Sequence, residues 1–572
     1  MSDFAIIPEP KTVSFTGQSL PLKKAITRKF IISLEHATQH FPKYIERNLN
    51  AFGIKTRFFE VDNLRDQAYK IEISQKGIVI YAGTKTGLKF GFKTLLQVLA
   101  HCSTSIPCCV IEDEPEYEFR AFHLDLRMRT YKPAFLKELF DNLSALKYSA
   151  VVVEYEDSFP YHNEPCIPGP IYYTADQIKD LNKFAQRYGI EIIPYLSVYS
   201  KLDYVLGLER YAGLAAPADA DSLTCSAHID CRNAQALRLV CSMIDELKAA
   251  HNSSAIFIDC NDHRQGQNQP PSAPALEEYA SAVIAHAAKR SVTPIVWADL
   301  PFSSPALLTA LPASTIMVVR ENQLQKDKTA QLKTCKDAGF KTIVELSLVN
   351  QSDNEFTWDA EHAVQNIIAA GKPGKSNGAL VSACPGTETA SAVLTGRPVC
   401  RMVGERRMHV DTLWFALGFA AEYFWNSKNA FLEGFQANWP RFWFDCDDQH
   451  LVEMQTLLTD GINNDDTLIS LMRNRKKVIS LAESVKPRKR ASQVAMLAFY
   501  ARLAICMVHA RKSFSHSPRQ QQIPLLKSEI TRLKERHKTL LSSSLYSAEL
   551  AEEARHLFGH ADMLLSRQER KL

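Results

Sequence analysis

Eight short apolar runs, each closing on a charged or polar residue, recur through the middle of the chain. They begin with Phe122-His-Leu-Asp125-Leu-Arg127 and Val151-Val-Val-Glu154-Tyr-Glu156-Asp157. Glu191-Ile-Ile-Pro-Tyr-Leu-Ser197, Ala255-Ile-Phe-Ile-Asp259-Cys-Asn261-Asp262 and Pro294-Ile-Val-Trp-Ala-Asp299 follow. The last three are Thr315-Ile-Met-Val-Val-Arg320-Glu321, Thr342-Ile-Val-Glu345-Leu-Ser347 and Gly378-Ala-Leu-Val-Ser382. Continuous apolar runs rich in β-branched residues suit strands buried on both faces, as a parallel sheet requires. Amphipathic stretches such as Pro133–Tyr148, Ala175–Tyr188 and Ala234–Ala250 lie between them. The pattern predicts an α/β fold, a (β/α)8 TIM barrel whose chemistry sits at the carboxyl ends of the strands.

The flanks read differently. Ile71-Glu-Ile, Gly77-Ile-Val-Ile-Tyr81 and the helical stretch Thr86–His101 predict a small α+β unit over residues 1–114. The barrel then takes 115–426, with Leu413–Trp425 as a buried helix and loops at Tyr161–Tyr173, Ser197–Ile229 and Gln265–Pro274. Beyond it, Gln449–Val485, Ser492–Ser513 and Ile523–Leu541 have helical periodicity, so 427–572 is expected to be a C-terminal helical region. That region is the candidate surface for forming a homo-oligomer.

Composition narrows the function. A chain of 572 residues exceeds a single core, and a net charge of +4 is slight for nucleic-acid or membrane partners. The amino end lacks a basic head with an apolar run, and Leu413–Trp425 is too short to span a bilayer. A cytoplasmic location is expected. The thirteen cysteines have no CxxC spacing, so reduced thiols are expected, with neither a zinc site nor any other metal or cofactor.

Candidate chemistry lies at the run ends. Glu154, Glu156 and Asp157 crowd three carboxylates into four residues, which costs stability unless cations or shared protons compensate. Asp259, Asn261 and Asp262 close the fourth run, and two opposed carboxylates are what glycoside hydrolysis uses. Trp297 could supply an apolar wall and Asp299 an acceptor, although a lone tryptophan there equally suits barrel packing. Glu345 ends the seventh run. Arg120, just before the first run, suits either a substrate contact or an arginine holding neighbouring carboxylates.

Several strings resemble glycoside hydrolase family 20, in particular its hexosaminidase D branch. They are Arg120-x-x-His-Leu-Asp-Leu, Val-Val-Glu-Tyr-Glu-Asp-x-Phe-Pro-Tyr161, Tyr173-Thr174 and Ile193-Pro194. Gly83-Thr-x-x-Gly87 through Thr94-Leu-Leu-Gln97 resembles the small domain that precedes this family's barrel, so the likeness covers roughly residues 5–425. The resemblance implies a β-N-acetylhexosaminidase-like hydrolase in which the substrate's acetamido carbonyl attacks the anomeric carbon. An Asp-Glu pair at the end of strand four then orients the acetamido group and protonates the leaving oxygen. Here that pair reads Asn261-Asp262. Asparagine can accept from the acetamido N–H but brings no negative charge, and Asp262 is an acid one methylene short. Ser200-Lys201 replaces a Gly-His step, and the tryptophan expected after strand eight gives way to Ser382-Ala-Cys384-Pro385-Gly386.

The implied site thus has Asp262, Asn261, Glu156 and Asp157 as catalytic candidates. Arg120, Glu154, Lys201, Trp297, Asp299 and Glu345 are candidate substrate contacts, and all these side chains are expected to converge on one mouth. A carbohydrate is the expected partner. The competing expectation is a glycan-binding relative with weak or no turnover, betrayed by Asp262 tied into a salt bridge with Lys201 or Arg264. A purely structural or partner-binding protein is the third.

Overall fold

Alternate burial along Tyr69–Ser74 shows why this segment is a strand: Tyr69, Ile71 and Ile73 point inward while their neighbours face out. The computed structural model describes residues 4–27, 43–127, 129–217, 228–261, 273–320, 328–348, 376–382, 409–458, 465–515 and 522–569. The amino-terminal sheet comprises β1 (Thr12–Pro21), β2 (Thr56–Glu60), β3 (Tyr69–Ser74), β4 (Gly77–Ala82) and β5 (Ser105–Asp113). Its order is β1-β5-β3-β4-β2, with only β2 and β4 parallel. The helix Lys85–Ala100, capped by Thr84 through the Gly87 N–H, has twelve buried residues and packs on the sheet through its apolar ones.

The eight runs form a closed parallel barrel: β6 (Phe119–Asp125), β7 (Ala150–Glu154), β8 (Glu191–Ser197), β9 (Ala255–Asp259), β10 (Thr293–Trp297), β11 (Ile316–Arg320), β12 (Lys341–Ser347) and β13 (Gly378–Ser382). β13 pairs with β6 to shut the ring. Inward positions such as Ala121, Val152, Ile193, Tyr195, Phe257 and Leu380 fill the lumen, and the alternate residues pack outward on the helices. The barrel is solid in its middle, so polar groups at the strand ends can gather only at its rims.

Sheet and barrel meet through a buried ion pair at the barrel's amino end. Lys147 Nζ lies 2.9 Å from Asp113 Oδ2, both side chains fully buried. Trp425 Nε1 donates to the other Asp113 oxygen at 2.7 Å and its ring faces the Lys147 ammonium at 4.2 Å. Trp425 ends the helix Trp414–Trp425, which is buried on every side, as the unbroken apolar run predicts.

The carboxyl-terminal helices are Leu432–Phe444, His450–Leu457, Asp465–Ser484, Ala491–Ser515, Gln522–Leu541 and Ser547–Glu569. The stretch Gln449–Val485 holds two of these helices, and Leu432–Phe444 and Ser547–Glu569 flank the three periodic stretches. The region is clipped to the loop after β6. Arg129 makes a bidentate pair with Glu553 at 2.9 and 2.7 Å, and the Lys132 N–H donates to the Ser544 carbonyl at 2.7 Å. The ten described cysteines are free thiols, and among the described residues no helix is long and apolar enough to cross a membrane.

One carboxyl in this framework gives a pH test. Glu422, buried inside Trp414–Trp425, accepts from the Glu9 N–H at 2.9 and 3.0 Å. Burial raises its pKa from 4.5 to about 8. Between those values the folded chain holds a proton that the unfolded chain has released, so stability falls as pH rises through the window. The slope is about 1.4 kcal/mol per pH unit. Glu422→Gln should flatten that decline, read as melting temperature against pH. An unchanged profile would show that Glu422 does not titrate in this way.

Candidate active site

Strand alternation decides which side chains reach the carboxyl mouth. Ala121 lies in the lumen, so His123 and Asp125, two and four residues further along β6, share its face. On β7 the same rule carries Val152 to Glu154, and on β8 it carries Tyr195 to Ser197. Two groups of side chains result.

The first group stands on β6 and β7. Arg127 Nη2 lies 2.9 Å from Asp125 Oδ2, and its Nε lies 3.5 Å from Glu154 Oε1. The other Glu154 oxygen is 3.3 Å from His123 Nε2. Glu156 sits one step beyond at φ +47°, a left-handed backbone that a residue with a Cβ enters at a cost. Burial, with Glu154, Asp157 and Asp125 nearby, pushes its carboxyl well above the usual 4.5 despite the opposing Arg127. Asp157 turns toward the loop after β7. Its carbonyl accepts from the Gly169 N–H at 2.8 Å, and a Cβ at Gly169 would collide with its carboxylate.

The second group stands on β8 to β13. Tyr195 OH donates to Asp259 Oδ2 at 2.5 Å, and the Asn261 N–H donates to the other Asp259 oxygen at 2.9 Å. Asn261 Nδ2 donates to Asp299 at 3.3 Å, which leaves the Asn261 carbonyl oxygen as its acceptor. Arg320 lies 3.8 Å from Asp299, and its guanidinium covers the Trp297 ring at 4.0 Å. Glu345 accepts from the Ser382 hydroxyl. The His123 and Tyr195 rings stack at 5.0 Å, joining the two groups across the lumen. Ser200 Oγ donates to the Asn261 backbone carbonyl at 2.7 Å, so the next residue, Lys201 at φ +60°, adjoins the β9 end.

Glu154, Glu156, Asn261, Asp299 and Glu345 therefore lie at the mouth. Arg120 does not. It is the second residue of β6, hence at the amino end. Its guanidinium donates to the carbonyls of Tyr117, Glu118 and Lys147 and to the Gln67 side chain. All that capacity goes to joining sheet and barrel, which corrects its expected place beside the acids. Trp297 does reach this end of the barrel, but its ring is buried against Phe257 and covered by Arg320 rather than offered as an open wall. Asp262 and Arg264 lie outside the described residues. Arg127, His123, Tyr195 and Arg320 are the polar residues the search for acids passed over. Arg127 and Arg320 were visible as charged endings of the first and sixth runs.

A closed parallel barrel with its ionisable residues collected at the carboxyl mouth, behind an antiparallel-rich sheet domain, defines the class. Residues 3–114 match the family description "Glycosyl hydrolase family 20, domain 2". Hexosaminidase D of Homo sapiens is 28% identical over 199 residues, 32% of this chain and 40% of that relative. Hexosaminidase D of Bos taurus is 28% identical over 196 residues, 32% of this chain and 55% of that one. The match thus spans about half of those relatives or less. The GH20 β-N-acetylhexosaminidase of Streptomyces coelicolor A3(2) superposes with a TM-score of 0.58 at 16% identity, over 77% of this chain and 95% of the other. The GH20 exo β-N-acetylglucosaminidase of Vibrio harveyi gives 0.57 at 16%, over 77% and 76%. At such identities the structural likeness is one of fold. By these matches the chain is similar to glycoside hydrolase family 20: its first domain fits the family's domain 2, and its fold is that of the family's solved structures.

Arg127 carries the charge balance of the first group. Arg127→Met should leave Asp125 and Glu154 buried without their cation, costing on the order of 3–5 kcal/mol at neutral pH. Arg127→Lys, which keeps a cation there, should lose less. Chemical denaturation of both variants at neutral pH checks this; equal losses would reject the charge-balance role.

Proposed function

We propose that the barrel mouth binds a carbohydrate and hydrolyses its glycosidic bond, with Asn261-Asp262 in the place of the family's Asp-Glu pair. The observation carrying this reading is the setting of Asn261. Its side-chain nitrogen is engaged by Asp299, so its side-chain Oδ1 is the atom offered to an acetamido N–H. Asp299 also supplies, one group removed, some of the negative charge that asparagine lacks, although Arg320 at 3.8 Å offsets part of it. Asp262 follows directly in sequence and is the proposed acid. Glu156, whose carboxyl burial and acidic neighbours push well above the usual range, is a second candidate proton donor from the β7 side, with Asp157 beside it. Glu154, Lys201 and Glu345 are the proposed polar contacts for sugar hydroxyls.

A second reading has its own support. The Trp297 face is covered by Arg320, which removes an apolar floor of the kind a sugar ring stacks on. That favours a relative which binds glycans with weak turnover, or with none.

A panel of chromogenic glycosides separates the two. Under the hydrolytic reading, N-acetyl-β-hexosaminides or a related amino sugar should be cleaved slowly, and Asp262→Asn should abolish the activity. Asn261→Asp combined with Asp262→Glu should raise turnover of the N-acetyl substrates by roughly 10²–10³, the worth of a preorganised electrostatic group. Binding without turnover would leave only the second reading, and a hydrolase indifferent to Asp262→Asn would place the acid elsewhere.

A further inference from the structure

Far from the acids of the barrel, the carboxyl-terminal helices Asp465–Ser484, Ala491–Ser515 and Gln522–Leu541 border a groove of about 640 Å³. Its floor is apolar. Val485, Val494 and Leu533 are buried beneath it, and Ala495 and Ala498 stay partly exposed, their short side chains leaving the space open. An apolar floor inside a charged rim is the usual character of a surface that meets another protein.

The helix Gln522–Leu541 supplies a second observation. Leu525 is 73% exposed, the most of any large apolar side chain among the described residues. Leu525, Glu529, Arg532, Arg536 and Thr539 follow one another at four, three, four and three residues, so they share one stripe of that helix. The last four line the groove, and Leu525 projects from the same stripe one turn earlier. A protruding apolar side chain and an apolar recess thus lie on one face of one helix.

The charges on the stripe are self-complementary. Glu529 and Arg536 stand two turns apart, and Glu529 reaches only the neighbouring Arg532, at 3.5 Å. A two-fold axis crossing the stripe between Arg532 and Leu533 would lay the helix antiparallel to its own copy. Glu529 of each copy then faces Arg536 of the other, and Leu525 faces Leu540, beside Thr539 at the end of the groove. Consecutive helices with a short connection run antiparallel, so that end adjoins Ala491 at the start of Ala491–Ser515. An isologous contact repeats each of these pairings twice.

We propose that this face joins two copies of the chain, with Leu525 of each seated in the other's groove and Glu529 opposite Arg536. The contact is independent of what the barrel mouth binds. Its apolar seat supplies affinity, and the reciprocal charges fix the direction in which the helices cross.

Sedimentation equilibrium on the full chain tests this. The wild type should be a dimer at micromolar concentration. Leu525→Glu replaces a mostly exposed side chain, so it spares the core, and it should weaken association about thirtyfold or more. Glu529→Arg sets like charges opposite one another and should also weaken the dimer. Combining it with Arg536→Glu should restore the dimer, a rescue that damage to the fold would not produce. Circular dichroism should be unchanged in all three. A wild type that remains monomeric at that concentration would overturn the proposal. So would a dimer indifferent to Leu525→Glu and to the charge reversals, since its interface would lie elsewhere.

Discussion

Closing eight parallel strands into a ring aims every carboxyl-terminal side chain at one small opening. Along β6, β7 and β9 to β12 those side chains are mostly acids, so the mouth concentrates repulsion as a direct result of barrel closure. Arg127 bridging Asp125 and Glu154, and Arg320 set against Asp299 and Trp297, are what make that crowding tolerable. The stacked rings of His123 and Tyr195 place a polarisable partition between the two acid groups. The raised proton affinity of Glu156, the engaged amide of Asn261 and the covered face of Trp297 are local solutions to the same constraint.

Much of this was legible before any coordinates. Runs of β-branched residues ending in acids locate parallel strands, because a strand buried on both faces admits polarity only where it surfaces. Glu191–Ser197 and Gly378–Ser382 match their strands residue for residue, and the acid-rich ends of β7 and β9 were visible as candidate sites. Arg120 was misplaced although the rule that places it was at hand. If Ala121, His123 and Asp125 face the lumen, Arg120 faces away from it, and it stands at the strand's beginning rather than its end. Arg127 and Arg320 were passed over because acids were sought for chemistry, while the cations that hold such acids together were not.

The carboxyl-terminal region shows what periodicity leaves out. Helical spacing finds Gln522–Leu541 but cannot say which surface it meets. Alongside a shared apolar core, the attachment uses single polar residues, Arg129 with Glu553 and Lys132 with the Ser544 carbonyl, separated by hundreds of positions. No local pattern encodes a pairing of that kind. It attaches the helices to the loop that begins two residues beyond Arg127, so they lie against the rim of the mouth.

That clip sets an order on assembly. Arg129 and Glu553 are 424 positions apart. At about 5–20 residues per second, a ribosome takes roughly 20–85 s to deliver the second after the first. Through that interval the barrel's opening strand can pair with its neighbours, but the turn leading from it lacks its carboxyl-terminal clip. The rim beside β6 is therefore completed only after Ser547–Glu569 has been made.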